Sequence, residues 1–197
     1  MKAPQTDNPS LRVHLFKDAK ALETWLQEHL NSSAGLWIRI AKKSAKLQSV
    51  SYQEALEIAF SYGWIDGQKR TYDEQSWLQK FTPRGPKSIW SKINRAKALE
   101  LIRGGRMRSA GLSAIESAKK NGRWDTAYDS HSTAVPPSDF QTALNKSAKA
   151  NAFFATLNSQ NRYAILFRIQ TAKKVETRQK RIQKFVQMLA KHEKLYP

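Results

Sequence analysis

Strand-like alternation is clearest in one segment, which reads Leu36-Trp37-Ile38-Arg39-Ile40-Ala41-Lys42-Lys43. Successive side chains of a strand point to opposite faces, so Leu36, Ile38 and Ile40 share one face, and Trp37, Arg39 and Ala41 share the other. An apolar face is typical of a strand with one side on a hydrophobic core. The segment therefore predicts a sheet.

Helices are predicted on both sides of this strand. Asp18 is placed to cap a helix that carries Leu22, Trp25 and Leu26 at helical spacing. After the strand, Ser51 and Glu54 have the spacing of a capping box, in which each side chain binds the other residue's backbone N–H. Gly63 is the expected C′ residue of the second helix, because glycine readily adopts the left-handed conformation.

Further along the chain, Asp66-Gly67 predicts a turn, since this dipeptide is common in hairpins. Two more strands are expected after it, with Tyr72 on one, and Trp77, Leu78 and Phe81 on the other. Ser88 is placed to cap a helix that runs to about Arg103. A second short helix is expected to end near Asn121.

The predicted fold class is α+β, a small antiparallel sheet packed with helices and followed by a C-terminal all-helical unit. We predict a flexible tail at 1–10, an α+β domain at 11–124, a linker rich in Ser, Thr and Pro at 125–137, and the helical unit at 138–197. Ser138 and Gln141 predict a second capping box, at the start of the helical unit.

Composition limits the classes of protein to which the chain can belong. The net charge of +18 predicts attraction to polyanions or to anionic small molecules. The chain has no cysteine, so disulfides and cysteine metal sites are excluded. We expect a cytoplasmic protein with no transmembrane segment, because neither an apolar leader nor an apolar run of about 18 residues is present.

Candidate binding residues cluster around the predicted turn and the helix that follows it. A carboxylate, a guanidinium and indole rings can together orient a polar ligand. A helix N-terminus with a lysine beside it favours an anion. The predicted ligand-binding residues are Trp64, Asp66, Arg84, Lys87, Ser88, Trp90, Ser91, Lys92, Asn94, Arg178 and Arg181.

Structural interpretations of the same residues stay open. Asp66 can simply make a turn, and tryptophans are usually packed in a core. The last helix, taken as Lys173 to Lys191, has one apolar stripe with Ile182 and Phe185, and an opposite lysine face. Arg178 and Arg181 fall on the flank of the stripe, so we expect them at the edge of a packed interface.

Catalytic and metal-binding patterns are weak. The four histidines, His14, His29, His131 and His192, are scattered along the chain without the spacing of metal ligands. We therefore expect no metal and no cofactor, and catalytic residues stay unknown. Acid–base chemistry by Asp66 is left open.

The sequence resembles the bacterial YdeI/OmpD-associated, or bacteriocin-protection, family. The similar blocks include Gly35–Ile38, Tyr52–Leu56, Gly63–Gly67, Phe81–Arg84, Ser88–Asn94 and Ala172–Arg178. The resemblance implies a role in tolerance of bacteriocins and cationic antimicrobial peptides, and an association with an outer-membrane porin. It supplies no catalytic residues.

Three hypotheses follow. The first is a stress-protection protein, not an enzyme, that binds an anionic ligand in a cleft lined by Trp and Arg between the α+β domain and the helical unit. The second is a nucleic-acid-binding module that uses the basic surface. The third is an enzyme that acts on a nucleotide or another phosphorylated metabolite, with Asp66 as acid or base.

Overall fold

The structure is a computed structural model that describes residues 11–197, so the tail predicted at 1–10 lies outside the described residues. The chain divides into two compact units. Unit 1 is the described part of Met1–Ser88 together with Lys97–Gly122, and unit 2 is Ile89–Ala96 together with Arg123–Pro197. The domain and linker boundaries drawn from composition stay predictions.

Unit 1 is built on a four-stranded sheet with the order β1-β2-β4-β3. Its elements are β1 (Val13–His14), α1 (Ala19–His29), β2 (Leu36–Ala41), α2 (Tyr52–Ser61), β3 (Trp64–Thr71), β4 (Ser76–Pro83) and α4 (Ser109–Lys120), and α3 (Lys92–Arg103) has residues in both units. The α+β class is confirmed. The sheet is mixed, because β1 runs parallel to β2 while the other pairs are antiparallel.

The predicted alternation of β2 determines the core of unit 1. Leu36, Ile38 and Ile40 are buried in one cluster with residues of α1 and α2. Both predicted N-caps are confirmed: Asp18 accepts a hydrogen bond from the backbone of α1, and Ser51 and Glu54 form the capping box of α2. Burial of each large apolar side chain stabilises the fold by about 1.5–3 kcal/mol.

The predicted Asp66-Gly67 turn is wrong. Asp66 lies inside β3, where the register shifts between Asp66 and Lys69. Gln79 on β4, almost fully buried, donates hydrogen bonds of 2.9 Å to Gly67 O and 3.2 Å to Gln68 O, which satisfies the carbonyls of this bulge. The Asp-Gly pair therefore lies at a bulge, where β3 carries one residue more than β4.

The chain reverses instead between Thr71 and Ser76, the ends of β3 and β4. Asp73 makes this turn, since its Oδ1 accepts hydrogen bonds from Gln75 N at 2.9 Å and Ser76 Oγ at 2.6 Å. A side chain that binds backbone two residues ahead is a common way to stabilise a tight turn. Tyr72, predicted on a strand, lies in this connection.

Ser88 does not cap α3. The helix begins at Lys92, and the Ser91 hydroxyl accepts a hydrogen bond of 3.1 Å from Asn94 N. The residues before it are held in an extended conformation, because Tyr128 N donates to Trp90 O at 3.0 Å and Lys92 N donates to Tyr128 O at 2.9 Å. The predicted end of this helix at Arg103 is confirmed.

Unit 2 is mainly helical. Its helices are α5 (Ser138–Asn145), α6 (Ala148–Thr156), α7 (Ser159–Gln170) and α8 (Val175–Ala190). The predicted capping box at Ser138 is wrong, because Pro137 occupies the N-cap position and makes no side-chain cap bond. The apolar stripe of α8 is confirmed, since Ile182 and Phe185 are buried among residues of all four helices. No helix within residues 11–197 is long and apolar enough to cross a bilayer.

Candidate functional site

The predicted site residues of unit 1 contact other elements of the same unit. Trp64 is 1% exposed and packs edge-on against Trp25, with 6.1 Å between ring centroids. Asp66 accepts a hydrogen bond of 2.9 Å from Tyr52, and burial together with this bond raises the pKa of Tyr52 to about 12. The Arg84 backbone N–H donates to Gly63 O at 2.9 Å, and its guanidinium lies over the Phe60 ring.

Lys87 and Ser88 complete the unit 1 group. Lys87 is exposed and Ser88 is half-buried in the connection after β4. Ser88 N donates to Gly85 O at 3.0 Å, so the segment makes a turn before the chain enters unit 2. The helix N-terminus that was expected to bind an anion at this position begins at Lys92.

The predicted residues around the start of α3 belong to unit 2. Trp90 is buried against Trp124, with ring centroids 5.0 Å apart. The Ser91 hydroxyl is used as the helix cap, where it binds Asn94 N. The Lys92 ammonium forms an ion pair of 2.5 Å with Asp129.

Arg178 and Arg181 extend from α8 to the carboxyl end of α7. Arg178 donates to Ile169 O at 2.9 Å and also pairs with Asp139, and Arg181 donates to Arg168 O. The last carbonyls of a helix have no partner within it. Ile169 O accepts a hydrogen bond of 3.2 Å from Ala172 N, and the two guanidiniums add side-chain donors at this helix end. The expected position of both arginines at the edge of a packed interface is confirmed.

Several predicted residues thus make contacts that support the same helix. Lys92 forms an ion pair with Asp129. The Asp129 carboxylate accepts a hydrogen bond of 2.7 Å from Gln170, and its backbone carbonyl accepts one of 3.2 Å from the Tyr163 hydroxyl. Gln170 and Tyr163 are residues of α7. The contacts of Lys92 and of the two α8 arginines therefore converge on α7. That all the predicted site residues share one cleft stays a prediction.

One face of α7 lines a pocket of about 420 Å³, which we call the α7 pocket. The helix contributes residues spaced 3, 4, 7 and 8 positions from the first, as one face of a helix requires, and these are Gln160, Tyr163, Ala164, Phe167 and Arg168. The opposite face holds Ile165 and Ile169, both fully buried in the core.

Two further segments complete the walls of the α7 pocket. His131, from the segment before α5, packs on the Tyr163 ring with centroids 5.1 Å apart. Tyr196, from the segment after α8, is held by Asn161, a fully buried residue of α7. The Asn161 side chain accepts a hydrogen bond of 2.9 Å from Tyr196 N and donates one of 3.2 Å to Tyr196 O. Its amide, satisfied on both sides, fixes the position of the tyrosine.

Charge in the α7 pocket is positive. Arg168 donates one hydrogen bond of 3.1 Å to Ala164 O and another of 3.1 Å to the Tyr196 hydroxyl, and both of these acceptors are neutral. No carboxylate in the described part of the chain pairs with Arg168, and none lines the pocket. Burial, with smaller effects of Tyr128 and Asp129, raises the pKa of Tyr163, so its ring is uncharged at neutral pH.

The sequence reasoning missed the α7 pocket, although one signal was present. Tyr163 and Phe167 lie four residues apart, on a different helical face from Ile165 and Ile169. A helix that is apolar on two faces must bury the second face or leave it available for a ligand. The contact between His131 and α7 is visible only in the folded chain, because no local sequence pattern connects them.

Two family models match separate parts of the chain. Residues 14–114, just over half of its length, match the domain of unknown function DUF8412. Residues 133–192 match the family described as bacteriocin-protection, YdeI or OmpD-associated. The resemblance noted from the sequence is therefore confirmed for the second segment, which contains α5 to α8. No curated protein and no solved structure matches the chain significantly.

Proposed function

This chain belongs to the DUF8412 family, and we propose that it is a stress-protection protein that binds an anion with an aromatic or apolar portion in the α7 pocket. The likeness of residues 133–192 to the bacteriocin-protection family supports the protective role. The chemistry of the α7 pocket supports the ligand class. A cytoplasmic location is part of the proposal.

The guanidinium of Arg168 is the observation that carries the ligand class. It lies beside aromatic rings, and its described acceptors are one carbonyl and one hydroxyl. An arginine has five N–H donors, so three stay available to a ligand after these two bonds. A carboxylate, sulfonate or phosphate supplies matched acceptors and neutralises the charge.

The rings of the pocket favour a ligand that is not purely polar. Tyr163 and Phe167 lie 5.9 Å apart along α7, and Phe167 also meets Tyr128 edge-to-face at 4.9 Å. Such walls bind flat or apolar groups through burial and ring contacts, which are worth about 0.5–1.5 kcal/mol per pair beyond the buried area. The ligand therefore combines an anionic end with an apolar body.

The net charge argues against direct capture of cationic peptides. A protein of charge +18 repels other polycations. Protection through a bound anionic metabolite, or through a change in its free concentration, avoids this repulsion. The proposal therefore separates the protective role from peptide binding.

Fluorescence titration with anilinonaphthalene sulfonate, an aromatic anion, tests the ligand class. We expect saturable binding to the native protein and an affinity about tenfold or more lower for Arg168→Gln, because hydrogen bonds to charged groups contribute about 1.5–3 kcal/mol. Circular dichroism on each variant establishes that it is folded.

Arg162→Gln is the matched control for this titration. Arg162 is also on α7, and its guanidinium lies 4.7 Å from the centroid of the Phe154 ring, outside the α7 pocket lining. Both variants remove one positive charge from the same helix. Equal affinities of the native protein and Arg168→Gln, or equal losses in the two variants, would overturn the proposed ligand class.

A nucleic-acid-binding surface is the second candidate function. Lys180, Lys184 and Lys191 are exposed, and none of them has an ion-pair partner in the described part of the chain. Exposed lysines without acidic partners are available to phosphates. Asp66 does not line the α7 pocket, so no comparable observation favours the enzyme hypothesis.

A further inference from the structure

A second pocket, of about 350 Å³, lies in unit 1 and brings together two histidines that are distant in sequence. Its lining includes Arg12, His14, Trp25, His29, Ser32 and Ser33. We call it the double-histidine pocket. It shares no residue with the α7 pocket.

Trp25 positions His29. The two residues are one helical turn apart on α1, and their rings stack with centroids 4.4 Å apart and planes 5° from parallel. The Nδ1 atom of His29 lies 2.9 Å from Trp25 O. A carbonyl oxygen only accepts hydrogen bonds, so Nδ1 is the donor in this contact, which leaves Nε2 for another partner.

His14 reaches the same tryptophan from β1. Its ring is tilted against Trp25, with centroids 5.2 Å apart, and stacks on Phe16 at 5.6 Å. Burial lowers the pKa of His14, and the charges of His29 and Arg12 lower it further. The neighbouring strand β2 places Trp37 and Ile38 in register with β1, and neither is charged.

Positive groups in this pocket have no negative counterpart among residues 11–197. Arg12 is exposed, makes no ion pair in the described part of the chain, and lies just before β1. No carboxylate is among the described residues that line the pocket. Ser32 and Ser33, in the loop after α1, also line the pocket, where their hydroxyls donate to His29 O at 3.4 Å and to Gly35 O at 3.0 Å. A guanidinium and two imidazoles are groups that bind a tetrahedral oxyanion in proteins.

We propose that the double-histidine pocket binds a phosphate dianion, free or as a monoester, between the guanidinium of Arg12 and the rings of His14 and His29. A water molecule takes up about 30 Å³ in the liquid. The pocket, of about 350 Å³, therefore has room for a phosphate group. Repulsion between Arg12 and the protonated forms of the two histidines is relieved when a dianion lies between them.

Binding of a dianion must favour the protonated form of each histidine. His14 is held neutral in the free pocket, so we expect it to take up a proton when the anion binds. Phosphate itself titrates near neutral pH, whereas sulfate stays a dianion throughout this range. Sulfate affinity that rises as the pH falls from about 8 to about 6 therefore reports protonation of the protein and not of the ligand.

Nuclear magnetic resonance of the four histidine rings provides the test, because two lie in the pocket and two lie elsewhere. The ring signals are recorded at one pH in the absence and presence of inorganic phosphate. We expect the signals of His14 and His29 to shift with phosphate, and those of His131 and His192 to stay unchanged. No change at His14 and His29, or an equal change at all four, would overturn the proposal.

Variants identify the contribution of the guanidinium. Arg12→Gln is expected to lower phosphate affinity about tenfold or more, since it removes a charge-assisted contact. Lys20→Gln removes the same charge from an exposed residue of α1 outside the pocket, and it is expected to leave affinity within about twofold. Equal losses in the two variants would indicate general surface attraction and contradict a specific site.

The source of the phosphate group is distinguished by a second titration. Methyl phosphate carries the same dianion as a monoester and has too little apolar surface to occupy the α7 pocket by burial. Stronger binding of methyl phosphate than of inorganic phosphate assigns the pocket to monoesters, and the reverse order assigns it to free phosphate. Failure of the sulfonate titration at Arg168 leaves this test unaffected, because the two pockets share no residue.

Discussion

Arg178 and Asp139 join two helices that are far apart in the sequence of unit 2. The Arg178 guanidinium donates hydrogen bonds of 2.6 Å and 2.9 Å to the two carboxylate oxygens of Asp139 on α5. Its remaining terminal nitrogen donates a hydrogen bond of 2.9 Å to Ile169 O at the end of α7. One side chain of α8 therefore holds α5 and α7, a structural role that the sequence alone does not reveal.

We expect Arg178→Ala to reduce the free energy of unfolding by about 1 kcal/mol. The pair is partly exposed, at 27% and 45% of the two side chains, so solvent weakens the attraction. A double-mutant cycle with Asp139→Ala, followed by urea denaturation, isolates the coupling between the two residues. Lys180→Ala, an exposed change on the same helix, serves as the control. A coupling energy near zero would show that the pair does not stabilise the fold.

Acid should weaken unit 2 through the same pair. Hydrogen bonding to Arg178 lowers the pKa of Asp139 below its ordinary value of 3.8. A depressed folded-state pKa stabilises the fold above the ordinary value, and this stabilisation is lost as the pH falls through the depressed one. We expect the free energy of unfolding to fall below about pH 4 and to fall less steeply in Asp139→Asn. Identical slopes in the two proteins would contradict the assignment.

Gly111 lies where α4 meets the end of α2, and its substitution should be destabilising. A β-carbon there would collide with Ser61 O and with the sulfur of Met107. We expect Gly111→Ala to reduce the free energy of unfolding by about 1–3 kcal/mol, despite the higher helix propensity of alanine. Gly85→Ala is the control, because a β-carbon at Gly85 has no neighbour within 4 Å. A stabilised Gly111→Ala would show that α4 does not pack at this distance.

Phe140 is a test of the core of unit 2. It is fully buried and meets Phe154 edge-to-face, with ring centroids 5.5 Å apart. Truncation to alanine leaves a cavity, so we expect Phe140→Ala to reduce the free energy of unfolding by about 3–5 kcal/mol. Val135→Ala, at a residue that is 65% exposed, should change it by less than about 0.5 kcal/mol. Chemical denaturation measures both. A loss below about 1 kcal/mol for Phe140→Ala would contradict this packing.

The lysine face of α8 makes a distinct prediction for polyanions. Glutamine at Lys180, Lys184 and Lys191 should weaken binding to single-stranded DNA, and it should reduce the slope of log affinity against log salt by about 0.7 for each phosphate that no longer has a lysine partner. The control changes Lys17, Lys20 and Lys43, three exposed lysines of unit 1, to glutamine. Equal effects of the two triple variants would show that DNA binding depends only on net charge. That result would contradict a nucleic-acid-binding surface on α8.

Local sequence signals were sufficient for much of the fold. The alternation of β2, the capping box at Ser51 and the stripe at Ile182 are confirmed, because each depends on the periodicity of a single element. The signals at Asp66, Ser88 and Ser138 were also local, and each predicted the wrong conformation. In the first two cases a partner elsewhere in the chain determines the conformation, namely Gln79 for the bulge and Tyr128 for the segment before α3.

The sites were less accessible to sequence reasoning than the fold. Arg178 and Arg181 were correctly placed at the flank of an apolar stripe, since helical spacing gives this directly. Their targets at the end of α7 were not predictable, because nothing local specifies which helix is adjacent. The pairing of His14 with His29 on Trp25 likewise requires β1 and α1 to meet.

The sequence by itself determined which faces are apolar, where several helices begin and end, and the strongly positive charge that favours anionic ligands. Tertiary structure alone decided that Arg168 lies among aromatic rings without a carboxylate partner in the described part of the chain, and that two distant histidines face one pocket beside Arg12. The physical reason is that periodicity and capping act over a few residues, whereas a binding site depends on groups that only long-range packing brings together.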